Sequence, residues 1–133
     1  MKQQKWGRIL ASTSITVKQP IPTLALSNVS RVGVVAYIKS LALETAALNV
    51  TANVIAPGYI MTDRVKHLLE DRAKRENTSY ENALNSLLTT IPAQRIGDPA
   101  DFGAFCAFMA SEYASYITGE TILIDGAIYK GLM

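Results

Sequence analysis

The chain has 133 residues, 49% of them hydrophobic and 18% charged, which is enough for one packed domain and too apolar for a disordered segment. Its formal charge of +2 does not mark nucleic acid or an acidic membrane as partner, and the bases Arg64, Lys66, Arg72, Lys74 and Arg75 are interleaved with Asp63, Glu70, Asp71 and Glu76, as on a solvated helix face. The single cysteine, Cys106, excludes an internal disulfide and a cysteine metal cluster; no metal site is expected, the cytoplasm is the expected compartment, and no apolar run approaches the length of a membrane span.

Residues 8–12 (RILAS) are short and apolar between polar flanks and predict a buried strand. A loop with Pro20 and Pro22 follows, and Ser27 or Asn28 is placed to cap a helix running to about Leu48. That helix, residues 28–48, leaves almost no polar face, so both sides are expected to be buried, one against a sheet and the other against a partner subunit. Residues 50–56 (VTANVIA) predict a second strand, ended by Pro57-Gly58. Residues 63–75 form an amphipathic helix with Val65, Leu68, Leu69 and Arg72 on one side and His67, a solvent-exposed residue, on the other. Thr78-x-x-Glu81 predicts a capping box for a helix to about Leu88. Asp98-Pro99 opens a helix to about Ser111, with Phe102, Phe105, Cys106 and Met109 inward and Cys106 a buried structural thiol. Residues 120–124 (ETILI) give the last strand. Strands alternating with helices predict an α/β fold, a partial Rossmann-like arrangement of about three parallel strands with flanking helices.

The order of these signals resembles the C-terminal half of a short-chain dehydrogenase/reductase, of the 3-oxoacyl-carrier-protein reductase type. The likeness runs over nearly the whole chain: Trp6-Gly7-Arg8-Ile9, Lys39-Ser40-Leu41-Ala42-Leu43-Glu44, Asn53-Val54-Ile55-Ala56-Pro57-Gly58, Arg95-x-Gly97-x-Pro99, and Thr118-Gly119-Glu120 leading to Asp125-Gly126. The resemblance implies an oxidoreductase using NAD(P). Residues 1–133 would be one half-domain, with a lid-like helical segment at 59–95. Pro57, Gly58, Ile60 and Thr62 resemble the family's segment that meets the nicotinamide carboxamide, although a strand-to-helix turn with Thr62 as cap accounts for the same residues.

The family's catalytic pattern is S-x12-Y-x3-K. Ser14 falls at the serine position, but thirteen residues on stands Ser27 instead of tyrosine, and four further stands Arg31 instead of lysine. A phenol has a pKa of about 10 and can be drawn towards neutrality by a nearby cation; an aliphatic hydroxyl is a far weaker acid. Arg31 keeps the positive charge without lysine's geometry. Ser27 is therefore read first as a helix cap. Ser14 is either a substrate contact or a polar strand-end residue.

The family's G-x3-G-x-G turn, which brings backbone N–H groups to the cofactor pyrophosphate, has no counterpart among the eight glycines at 7, 33, 58, 97, 103, 119, 126 and 131. The family's final Asp-Gly-Gly is Asp125-Gly126-Ala127. The first strand of this chain is internal in the family's sheet, so here it is expected to present an unpaired edge. These departures imply a truncated chain, inactive alone, that forms a homo-oligomer through helix 28–48 or pairs with an N-terminal half. The alternative is a non-catalytic pseudoenzyme serving as an oligomerisation or binding module.

Overall fold

The computed structural model describes residues 1–22 and 24–132. Strand β1 is Gly7–Ser12, β2 Val50–Pro57 and β3 Thr121–Ile124, and they form one parallel sheet in the order β1-β2-β3. Gly7 pairs with Val50 and Ser12 with Ile55; Val54 pairs with Thr121 and Pro57 with Ile124. Helix α1, Ala25–Thr45, makes the crossover from β1 to β2. Helices α2 (Asp63–Arg75), α3 (Tyr80–Leu88) and α4 (Pro99–Met109) lie between β2 and β3. The fold class therefore agrees with the sequence. Among the described residues no helix is long and apolar enough to cross a membrane.

β2 is central, and its residues from Val50 to Ala56 are all buried, as a strand covered on both faces must be. Alternate side chains go to opposite layers. Ala52 and Val54 pack with Ile38 and Ala42 of α1, and Ile55 packs with Met109 of α4. Phe102, Phe105 and Cys106 join the α4 layer as partly buried residues, so Cys106 is half-exposed rather than buried. Desolvation still raises its thiol pKa, which suits a structural residue. A third cluster joins Leu69 and Ala73 of α2 to Ala83 and Leu87 of α3 and to Ile91. Leu68, expected on the buried side of α2, is 45% exposed because the α3 contact is centred on Leu69. His67 is exposed as expected.

Two helix starts differ from the sequence reading. α1 begins at Ala25 behind Leu24, which makes no side-chain capping bond, so neither Ser27 nor Asn28 is the cap. The Asn28 amide instead donates to the Ile21 carbonyl at 3.2 Å and ties the preceding loop to the first helical turn. α3 is capped by Ser79, whose hydroxyl accepts from the Asn82 N–H; Thr78 accepts from the Asn82 side chain, and the Thr78–Glu81 box does not form. At α4 the capping box is complete, with Asp98 and Asp101 each accepting from the other's end of the turn.

The outer side of α1 is not covered. Only Ile38, Ala42 and Thr45 of this helix are buried, whereas Leu26, Val29, Tyr37 and Leu43 are between 66% and 89% exposed.

Candidate active-site cleft

The three strands run in parallel, so their C-terminal ends lie on one side of the sheet, where α/β folds place their ligands. β1 ends into Thr13, whose N–H still bonds the Ile55 carbonyl at 2.9 Å. Ser14 then caps a short 3-10 turn, Ile15–Val17, by accepting from the Thr16 N–H at 3.3 Å. Ser14 is thus half-buried and committed to a local cap, with its own proton left to donate.

Ser27 sits in the first turn of α1, one turn before Arg31. The Arg31 Nε donates to Ser27 Oγ at 3.0 Å, and its Nη1 donates to the Thr13 carbonyl at 2.7 Å. The guanidinium thereby clamps the start of α1 to the end of β1. Two charge-assisted bonds from a rigid fork fix its position.

At the end of β2 the chain turns through Pro57 and Gly58. A Cβ on Gly58 would come within 2.8 Å of Asp125 Cβ and 2.9 Å of its Cα, so only glycine lets the exits of β2 and β3 approach. The Gly58 N–H bonds the Ile124 carbonyl at 2.9 Å. Ile60 bridges to Gly97 in parallel pairing, which pins the loop before α2. Thr62 stands at the N-cap of α2, but its hydroxyl makes no capping bond. The expected cap by Thr62 is therefore positional only, and the side chain is available to a ligand.

All seven of the residues singled out in the sequence, Ser14, Ser27, Arg31, Pro57, Gly58, Ile60 and Thr62, border one cleft of about 730 Å³. Sequence reasoning missed Thr13, Thr16, Arg64 and Lys130, which also border it. Thr13 and Thr16 are 7% and 4% exposed, and neither Oγ1 has a hydrogen-bond partner. No local pattern distinguishes them from other threonines. Arg64 and Lys130 reach the cleft from α2 and the C-terminal segment, an arrangement set by the long-range topology. Tyr59 borders the cleft too, and packs against the α2–α3 cluster.

Other motif residues turn out to be scaffold. Lys39 Nζ donates to the Gly119 carbonyl at 3.0 Å. Asn53, fully buried, donates to the Ile117 carbonyl at 2.8 Å and accepts from the Glu120 N–H at 3.0 Å. Among the described residues no group of three or more His, Cys, Asp or Glu side chains is placed to hold a metal.

Residues 1–128 match the family described as Enoyl-(Acyl carrier protein) reductase. The chain belongs to the short-chain dehydrogenase/reductase family. Among its relatives in that family, it is 33% identical to the NADPH-dependent reductase BacG of Bacillus subtilis, over 99% of this chain and 51% of that protein. It is 37% identical to the 3-oxoacyl-[acyl-carrier-protein] reductase MabA of Mycobacterium bovis, over 98% of this chain and 49% of that protein. The structure of YwfH, an NADPH-dependent reductase involved in bacilysin biosynthesis, superposes with a TM-score of 0.91 at 31% identity, covering 98% of this chain and 50% of that one. The L-sorbose reductase of Gluconobacter frateurii, solved with NADPH and L-sorbose, gives a TM-score of 0.89 at 27% identity, covering 98% and 50%. The chain thus spans about half the length of the relatives it matches.

The cleft fits one end of a nicotinamide dinucleotide. The Pro57–Gly58 turn, whose Gly58 N–H is taken by the Ile124 carbonyl, borders the cleft together with the Thr62 hydroxyl, which makes no capping bond. The diphosphate is not fitted by these residues, because none of the chain's glycines forms the closely spaced turn that admits it.

Proposed function

We propose that this chain forms the substrate-side half of an NAD(P)-dependent short-chain dehydrogenase/reductase site and is catalytically silent by itself. The observation that carries the reading is the Arg31 clamp, in which the guanidinium holds Ser27 Oγ and the Thr13 carbonyl. A bound nicotinamide supplies hydride chemistry. The residues of this chain supply the oxygen-binding side: Ser14 and Ser27 each keep a proton to donate to a carbonyl oxygen, and Thr62 with the Pro57–Gly58 turn faces the carboxamide. Arg31 polarises Ser27 by donating to it, but an alkanol remains too weak an acid to stand in for a phenol near neutral pH. Hydrogen bonding to the carbonyl is retained and proton transfer is lost.

Residues 59–95, with their own packed cluster, serve as the lid over the cleft. The free edge of β1 and the bare face of α1 support association, with a second copy through α1 or with an N-terminal half along β1. The same bare face favours the second reading, a pseudoenzyme retained as an oligomerisation or binding module.

Titrating the pure chain with NADPH and with NADH tests the proposal. No binding is expected at micromolar cofactor, and no turnover of a model ketone, including by the S27Y/R31K double variant. Micromolar cofactor affinity, or turnover by either protein, overturns it.

A further inference from the structure

The charge and polarity of the cleft wall do not match a neutral ligand. Arg31, Arg64 and Lys130 border it, and no carboxylate does among the described residues. The three ion pairs among the described residues use Lys66, Arg72 and Arg95, so none of the three cleft cations is neutralised by one. Arg64 also borders an outer groove with Asp71 and Glu76 and makes no ion pair there. Large apolar side chains share the wall with these cations. Leu24 and Leu68 border the cleft and are 41% and 45% exposed. A second, independent observation points to a ligand. Thr13 and Thr16 are more than nine-tenths buried at the same wall, each with an unpartnered hydroxyl. A buried hydroxyl without a partner costs free energy that a bound polar group would restore.

We propose that the cleft takes an amphiphilic oxyanion, an apolar chain bearing a carboxylate or phosphate that lies between Arg64 and Lys130, with Leu24 and Leu68 covering the chain. This names the substrate class of the site described above and rests on that reading. Arg31 is fixed by its two bonds, so it contributes a permanent charge in the wall. Arg64 and Lys130 are exposed and free to close on the anion. Thr13 and Thr16 supply hydrogen bonds to a polar group at the inner end.

The test is calorimetric and NMR titration of the full chain with octanoate, octyl phosphate and neutral octan-2-one at low salt. Octanoate or octyl phosphate is expected to bind at least about tenfold more tightly than the ketone, with the tighter of the two naming the anion. R64Q and K130Q are each expected to weaken the anion about fivefold, as a screened exposed charge contact would, and leave the ketone unchanged. Raising the salt weakens the anion alone. Thr13→Val is expected to weaken all three ligands while folding normally by circular dichroism. Equal affinity for octan-2-one and the anions overturns the charge assignment but leaves the substrate-side reading standing. No binding of any of the three, or binding with shifts confined to residues outside the cleft, overturns both.

Discussion

β1 and the β2–β3 pair reach the same side of the sheet, but they are finished to different degrees. Around β2 and β3 the polar groups close on one another: Asn53 bridges to Ile117 and Glu120, and Thr118 Oγ1 accepts from the Ala52 N–H at 3.1 Å. Between β1 and the start of α1 lie three of the four buried polar atoms without partners among the described residues: Thr13 Oγ1, Thr16 Oγ1 and Asn28 Oδ1. The fourth, Thr51 Oγ1, is on the β2 register position facing Arg8 of β1. The apolar surface divides the same way. α4 packs Met109, with Phe102 and Phe105 partly buried beside it, and leaves Phe108 43% exposed, whereas α1 keeps Leu26 and Val29 at 89% and 75%. One flank satisfies its buried polar groups internally, and the other leaves most of the unpartnered ones, with the longest exposed apolar face beside them.

The largest expected effect lies on the finished flank. Asn53→Ala removes two part-buried hydrogen bonds of a buried side chain and leaves a backbone carbonyl and a backbone N–H without these partners, a loss of about 2 kcal/mol in urea unfolding. A loss below about 1 kcal/mol would mean that this flank is no better consolidated than the other.

On the open flank the smaller test is Gly33. Nothing lies within 4 Å of where its Cβ would stand, and it is exposed in the middle of α1. A helix-interior glycine costs up to about 1 kcal/mol relative to alanine, a cost without return unless another backbone approaches there. Gly33→Leu is expected to lower the mass measured by light scattering while keeping the helical circular dichroism. Unchanged mass with a gain of about 0.8 kcal/mol in stability would show the face to be bare in solution.

The smallest effect concerns the α4 cap. The hydrogen bond from Arg95, and then that from the Asp98 N–H, hold the Asp101 carboxyl below its ordinary value. A lowered folded value means that the contribution is present above the ordinary aspartate range and is lost as pH falls through the lowered one. Asp101→Asn is expected to flatten the acid limb of amide protection at the start of α4, measured by hydrogen exchange, with little change at neutral pH.

The sheet was legible because its signals are local. RILAS, VTANVIA and ETILI are bounded apolar runs, and the observed strands differ from them by about one residue at an end. The seven site residues converge because the motif spacing encodes the topology. Caps were less legible: hydroxyls at 27, 78 and 79 look alike in sequence, and tertiary contacts decide which is used. At 27 the decision goes against capping, because Arg31 engages the hydroxyl and the helix starts a turn earlier. Arg64, Lys130, Thr13 and Thr16 were invisible as a group. Their proximity is created only when α1 crosses over and β3 brings the C-terminal segment back.

That crossover also dictates the order of events on the ribosome. β1 is made before β2, its hydrogen-bonding neighbour among the described strands, and all of α1 must be synthesised in between. Until then the rim of β1 that β2 will cover is open to any other extended chain. Quick coiling of α1, whose contacts are local, is the device that draws β2 towards its place and shortens the wait.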